Sequence, residues 1–237
     1  MAMGIKWRTF TTEWIYARTF EAELKRITGF KIILFLACLG PLAWLAWNAF
    51  TSSLGANPIE VITHTTGTWT LVFLLVTLTI TPLRKLSGLL ELIRFRRMLG
   101  LFAFFYAVLH FLTYVWLDKF FDIHDMGKDI AKRPFITVGF AAFVLLIPLA
   151  VTSTQGMIRR LGGKRWQWLH RLIYASAAAG VVHYLWLVKK DVRVPLIYGC
   201  ILAVLLLYRV GSWLVSSRKT GSSAKRTPVR TVSRAQA

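Results

Sequence analysis

Six apolar runs separated by short polar segments dominate this chain. A transmembrane helix needs roughly 20 predominantly apolar residues, and each run reaches or approaches that length. Pro41 is expected to kink the first run, and the second stops near Pro82. The pattern therefore predicts an all-α integral membrane protein, a six-transmembrane-helix bundle with spans at residues 27–50, 68–83, 98–117, 135–151, 166–188 and 194–215.

The segments outside these runs divide the chain into three parts. Residues 1–26 are polar, basic and aromatic, and we expect a cytoplasmic segment there, in the form of an interfacial helix. Residues 27–215 form the predicted membrane domain. Residues 216–237 are rich in Ser, Thr, Arg and Lys, which predicts a disordered basic cytoplasmic tail.

The basic residues indicate how the runs cross the membrane. The 30 Lys and Arg residues outnumber the 10 Asp and Glu residues and give a formal net charge of +20. They lie between the runs and at both ends, a distribution that argues against nucleic-acid binding and follows the positive-inside rule. Residues 51–67 carry no Lys or Arg, whereas residues 84–97 and 152–165 are strongly basic. The topology that best fits the positive-inside rule has both termini in the cytoplasm.

Three of the five histidines lie inside apolar runs: His110 in the third, and His170 and His183 in the fifth. Ionisable side chains are costly in lipid, so such residues are candidates for function. Both runs cross in the same direction, and a rise of about 1.5 Å per residue places His110 and His183 at one depth. Two facing neutral imidazoles are suited to axial ligation of haem b iron. The spacing therefore predicts His110 and His183 as haem ligands.

His170 lies about one helical turn inside the cytoplasmic end of the fifth run, thirteen residues before His183. On an ideal helix the two side chains point roughly 140° apart, so only one faces the third run unless the helix is irregular. No histidine of the third run lies at the depth of His170. Whether His170 binds a second haem, with water or an unusual residue as the other ligand of the iron, is left open.

The positions of the third run that match the depth of His170 are Arg96 and Arg97. Arginine is a poor iron ligand but binds carboxylates and phosphates well. With Arg94 they predict an anion site on the cytoplasmic face, for a haem propionate, a flavin phosphate or a lipid phosphate. Ordinary positive-inside topology explains the same arginines equally well.

The other two histidines are weaker candidates. His64 falls in the predicted loop before the second run, where a loop or cap contact is expected. His124 lies in a polar loop near Asp122 and Asp125 and is expected to be solvated. The acidic residues of that loop could form a docking surface for a periplasmic partner, although such clusters are usually just solvated.

Several short motifs resemble one family over about residues 30–212. That family is the haem-binding membrane subunit of the bacterial protein-methionine-sulfoxide reductase system (MsrQ/YedZ), within the ferric-reductase-like transmembrane superfamily. The motifs are ITPLR at 80–84, RRMLGL at 96–101 followed by Leu109-His110, TSTQ at 152–155, GKRWQWLHRLIY at 163–174, HYLW at 183–186 and PLIY at 195–198.

The resemblance implies haem b, one or two per chain, together with FMN, and haem histidines at His110, His170 and His183. It also implies a bacterial inner-membrane location. Electrons would come from a cytoplasmic flavin reductase or the quinone pool. They would pass to a periplasmic molybdopterin-containing subunit that reduces methionine sulfoxide in proteins. No catalytic residue for that substrate is evident in this chain, and the flavin-binding residues are open.

Two alternatives remain at this level. A self-contained ferric or cupric reductase would need a cytoplasmic NADPH/flavin domain, for which the tail after residue 216 is too short. A transporter could use the intramembrane histidines as proton relays. Inverted repeats or paired broken helices would favour a transporter, and the sequence shows neither.

Overall fold

The computed structural model describes residues 5–188 and 191–224, and these are helical apart from short connections. Nine α-helices follow one another in this part of the chain. They are α1 (Ile5–Phe50), α2 (Pro58–Ser87), α3 (Ile93–Leu112), α4 (Ile123–Lys132), α5 (Pro134–Val151), α6 (Gln155–Leu161), α7 (Gly163–Leu169), α8 (Leu172–Leu187) and α9 (Arg193–Ala224). A 3₁₀ turn, Leu90–Leu92, leads into α3, and a π-helix, Thr113–Asp118, continues it.

Five of these helical segments are long and apolar enough to cross a membrane, so the chain is a multi-pass membrane protein. They are Lys25–Phe50, Pro58–Ser87, Leu90–Asp118, Pro134–Val151 and Arg193–Ser217. Helix α8 has 16 residues and would extend about 24 Å, which is shorter than the roughly 30 Å hydrocarbon core.

The centre of the fold is a bundle of α2, α3, α5 and α8. Helix α2 packs closely on α3 and α5 on α8, and contacts of α3 with α5 and of α2 with α8 close the bundle. Consequently α3 and α8 lie diagonally opposite each other. Helices α1 and α9 pack outside and expose many large apolar side chains, as lipid-facing helices do.

Tyr106 of α3 joins the central bundle to α1. Its buried hydroxyl accepts a hydrogen bond from Leu42 N (3.1 Å) and donates one to Cys38 O (2.9 Å). In a regular helix these two backbone groups bond to each other. The tyrosine therefore inserts into the ladder of α1 beside Pro41, where the sequence predicts a kink.

Helix α2 begins ten residues earlier than the apolar pattern predicts. Asn57 caps it by accepting a hydrogen bond from Glu60 N, and Pro58 fits the first helical position. The prediction of a loop at 58–67 was therefore wrong. The helix also continues through Pro82 and ends at Gly88, whose positive φ of 73° suits glycine.

The predicted fifth span is broken. Helix α7 ends at Leu169 and α8 begins at Leu172, so His170 lies at the break. The prediction of a continuous helix at 166–188 was therefore wrong. The angle of roughly 140° between His170 and His183 on an ideal helix does not apply either. At the ends of the chain, α1 is already helical from Ile5. Helix α9 continues to Ala224, and the remaining tail lies outside the described residues.

Candidate functional site

His110 of α3 and His183 of α8 face each other across the central bundle. Their ring centroids are 6.2 Å apart and their planes are inclined at 71°. The two histidines therefore meet across the bundle, as their spacing predicts, and their common depth in a membrane stays a prediction. Helices α3 and α8 pack on their other neighbours rather than closely on each other, so the space between them is available to a ligand.

Each histidine is held by a backbone carbonyl of a neighbouring helix. His110 Nδ1 lies 3.0 Å from Thr63 O of α2, and His183 Nδ1 lies 2.7 Å from Phe135 O of α5. A carbonyl oxygen only accepts, so Nδ1 is the protonated nitrogen in both neutral rings. Nε2 then keeps its lone pair, and this is the tautomer that a metal ligand needs.

A glycine lies against each imidazole. A Cβ atom built on Gly67 would lie 2.9 Å from His110 Cε1 and 3.0 Å from its Nδ1. A Cβ on Gly139 would lie 2.6 Å from His183 Nδ1 and 2.8 Å from its Cε1. The sequence reasoning missed both glycines, because their role depends on packing between helices.

The two imidazoles line a cavity of about 370 Å³. Small side chains from all four central helices make room for it: Gly67, Ala107, Gly139, Ala142, Ser176 and Gly180. A flat apolar macrocycle suits such a lining. His110 and His183 would hold the metal of such a macrocycle between them, and their ring centroids are 6.2 Å apart.

The chemistry of the donors also fits haem better than a bare metal ion. In the described part of the chain, no group of three or more His, Cys, Asp or Glu side chains could hold a metal. Zinc takes at least three protein ligands. Two imidazoles complete the coordination of an iron whose other four ligands come from a porphyrin.

The end of the cavity beside the π-helix is polar. Tyr114, in the π-helix, lines it, and its hydroxyl is buried without a hydrogen-bond partner among the described side chains and backbone. Arg133 and Asp118 also line this end. A buried hydroxyl without a partner is costly, so an acceptor on a ligand would stabilise it.

A compact ionic network holds α4 beside this polar end. Lys119 Nζ lies 2.6 Å from Asp125 Oδ2 and 2.5 Å from Asp129 Oδ2, and Arg133 Nε lies 3.3 Å from Asp129 Oδ1. The hydrogen bonds to Asp125 and Asp129 raise the pKa of Lys119, and the bond from Lys119 lowers the pKa of Asp125. Two acids of the suggested docking surface therefore have partners within the chain.

His170 belongs to a different group of side chains. Its Nε2 lies 3.1 Å from Thr152 Oγ1, and the Trp166 ring lies 4.0 Å from its own ring, centroid to centroid. Trp166 Nε1 in turn donates to Thr152 O (2.9 Å). His170 does not line the cavity between His110 and His183. Its binding to haem iron stays a prediction.

The arginines predicted near His170 differ in their surroundings. Arg94 and Arg97 are exposed, whereas Arg96 is half-buried and lies within electrostatic range of His170 and of Arg209. Arg209 was missed by the sequence reasoning, although an arginine inside a predicted span is itself a signal.

Arg209 lacks a full set of partners in the described part of the chain. Its guanidinium carbon lies 4.9 Å from the centre of the Tyr174 ring, and its Nη2 atom is buried without a hydrogen-bond acceptor. Arg96 and Arg209 together therefore offer positive charge to an anion at the end of the bundle where His170 lies.

The two weaker histidines are both on helices rather than in loops. His64 is exposed in the second turn of α2, with its Nε2 3.8 Å from Glu60 Oε1, and it borders the cavity. His124 is exposed on α4, whose N-terminus is capped by Asp122.

Comparisons with known proteins give one family match and several similar proteins. Residues 66–181 match the family described as the ferric reductase like transmembrane component. A protein-methionine-sulfoxide reductase haem-binding subunit MsrQ from Herminiimonas arsenicoxydans is 62% identical over 194 residues, 81% of this chain and 89% of that protein. MsrQ subunits from Azospira oryzae and Ralstonia nicotianae are 55% and 52% identical, over 81% and 84% of this chain and 83% and 93% of their own lengths.

Proposed function

The chain belongs to the MsrQ family of haem-binding subunits, within the ferric-reductase-like transmembrane superfamily, and we propose that it is a membrane electron-transfer subunit that binds haem b at His110 and His183. One observation carries the assignment. Two imidazoles face each other at 6.2 Å, each with Nδ1 on a carbonyl and Nε2 left for a metal.

The residues of the central bundle bind and orient the cofactor. When bound, haem supplies reversible one-electron chemistry. His110 and His183 would hold the iron through Nε2, and the carbonyls of Thr63 and Phe135 fix the tautomers of the two rings. The apolar lining excludes water and gives the site a low dielectric constant, which is one means by which a protein tunes a redox potential.

The polar outer end suits the carboxylates of the cofactor. Tyr114 has a buried hydroxyl with a free proton, and Arg133 adds a positive charge at the same end. Asp118 opposes this charge, but Arg133 and Tyr114 are both donors that a carboxylate accepts well. We assign this end to the haem propionates.

The inner side of the bundle is our candidate for a second cofactor, either a second haem or FMN. His170, Arg96 and Arg97 are the residues proposed from the sequence, and the half-buried position of Arg96 supports its role. Arg209 joins them, because its unpaired guanidinium nitrogen is buried close to Arg96. A propionate or a flavin phosphate is the anion that would fit.

The proposed topology has six spans with both termini in the cytoplasm of a bacterial inner membrane. Helix α8 is the fifth of these six spans in chain order, and its shortness is compensated by α7, which precedes it across the break at His170. In this orientation His170 is on the cytoplasmic side and α4 is on the periplasmic side, in agreement with the basic segments after the second and fourth spans.

The proposed partners follow from this orientation. A cytoplasmic flavin reductase or a membrane quinone supplies electrons, and a periplasmic molybdopterin-containing subunit uses them to reduce methionine sulfoxide in oxidised proteins. Relatives named as subunits of protein-methionine-sulfoxide reductases support this assignment. No substrate-reducing residue is assigned to this chain.

The test uses the protein in sealed vesicles. Reduced flavin reductase and NADH are supplied on the cytoplasmic side, and the periplasmic subunit with methionine sulfoxide on the other. The haem absorbance should become reduced by the first addition and reoxidised by the second, and His183→Ala should abolish both. A transporter would instead show proton-coupled flux and no visible absorbance. Observation of that flux without any haem absorbance would reject electron transfer.

A further inference from the structure

The two ligand histidines are held by the same local arrangement on two different helices. Thr63 and Gly67 are four residues apart on α2, and Phe135 and Gly139 are four residues apart on α5. In each case the imidazole donates to the carbonyl of the first residue and lies against the second. In a regular helix that carbonyl also accepts from the glycine N–H, so it is shared between the helix and the histidine.

We infer that Gly67 and Gly139 are positioning residues, which let each imidazole reach its carbonyl and so select the Nδ1–H tautomer and the ring plane of both ligands. This inference rests on the proposed function of His110 and His183. All four central helices contribute to the site: α3 and α8 carry the ligand histidines, and α2 and α5 carry the glycines and the carbonyls.

An alanine at either position cannot share the space with the ring. The added Cβ would approach ring atoms to 2.9 Å at Gly67 and 2.6 Å at Gly139, which is well inside van der Waals contact. The carbonyl is part of the helix and does not move, so the imidazole must move away and lose its hydrogen bond. Loss of such an outer partner typically costs about 10–100-fold in metal affinity.

Other glycines of the bundle provide matched controls. Gly100 lies on α3, the helix of His110, and a Cβ there would be 3.7 Å from Thr77 Cγ2, an ordinary contact. Gly40 lies on α1, and a Cβ there would meet nothing within 4 Å. Gly100→Ala and Gly40→Ala therefore introduce the same methyl group without touching either imidazole.

The first experiment needs no haem. Histidine is labelled with ¹⁵N in the haem-free protein, and the ring signals are assigned with His110→Ala and His183→Ala. Wild type should show a hydrogen-bonded Nδ1–H at both positions. Gly67→Ala should lose it at His110 only, and Gly139→Ala at His183 only, while both control variants keep both.

The second experiment uses the haem-loaded protein. A bis-histidine ferrous haem has no open position, so wild type and the two controls should not bind carbon monoxide. Gly67→Ala and Gly139→Ala should gain carbon monoxide binding and lose haem affinity by about tenfold or more. Alanine variants that keep both hydrogen bonds and exclude carbon monoxide as Gly100→Ala does would overturn the inference.

If the alanine variants do not fold, the ¹⁵N spectrum of the haem-free wild-type protein still tests the inference. An Nε2–H tautomer, or an Nδ1–H without a hydrogen bond, at either histidine contradicts the inference. Failure of the proposed function looks different: the wild-type protein would then bind no haem, while the hydrogen bonds in the haem-free protein would still be present.

Discussion

His170 Nε2 donates a hydrogen bond to Thr152 Oγ1 over 3.1 Å, because that hydroxyl already uses its own proton on Pro148 O at 2.6 Å. His170 thus engages the nitrogen that His110 and His183 leave free, and it leaves Nδ1 for another group. This contact ties the break between α7 and α8 to the end of α5. A ligand of His170 must bind through Nδ1 or displace Thr152.

Replacement of His170 by alanine tests the inner site. His170→Ala should leave the bis-histidine absorbance of the outer haem intact, because the two sites share no residue. The content of the second cofactor should fall by about tenfold, measured as haem and flavin per protein. His124→Ala, on the exposed face of α4, is the control. Unchanged haem and flavin ratios in His170→Ala would remove this residue from cofactor binding.

Replacement of Tyr114 by phenylalanine tests the assignment of the propionates. A hydrogen bond to a charged group contributes about 1.5–3 kcal/mol, so Tyr114→Phe should weaken haem binding by at least about tenfold. The measurement is a titration of the haem-free protein with haem b and with its dimethyl ester, whose carboxylates are blocked. The variant should bind the ester as wild type does. An equal loss with both compounds would mean that Tyr114 acts through packing.

The network around Lys119 predicts how α4 responds to pH. The raised pKa of Lys119 contributes stability that is present below about pH 10.4, its unfolded value, and lost only in strong alkali. The lowered pKa of Asp125 contributes stability that is present above about pH 3.9 and lost as the pH falls below that value. Helix α4 should therefore be protected at neutral pH and open in acid.

Hydrogen exchange of α4, corrected for the intrinsic rate at each pH, measures this response. Lys119→Met should expose the amides of α4 already at pH 7, because Asp125 and Asp129 lose their shared partner. Lys128→Met, on the exposed side of the same helix, should not. Equal protection in the two variants across the pH range would show that the network does not hold α4.

Some of the site follows from the chain alone, and some does not. The approach of His110 and His183 follows from helical rise, so counting residues was enough to predict it. The position of Gly67 and Gly139 depends on how neighbouring helices pack, which no run of residues in one helix encodes. The break at His170 was hidden for a related reason: residues 164–174 contain no glycine or proline that would signal a helix end, and a Thr152 contact from another helix stabilises the break.

Arg209 illustrates the opposite case. An arginine in an apolar run was visible in the sequence, and the rule that singled out the histidines applies to it equally. Its position within electrostatic range of Arg96 nevertheless required the structure, because α3 and α9 are distant in the chain.

The reduced-minus-oxidised spectrum of the purified protein and its histidine variants tests the central claim most directly. Wild type should show a low-spin b-type haem. His110→Ala and His183→Ala should each abolish the bis-histidine signal, while His64→Ala, at the border of the cavity, should retain it. A wild-type protein without any b-type signal after haem-replete expression, or a normal low-spin spectrum in both His110→Ala and His183→Ala, would contradict the account.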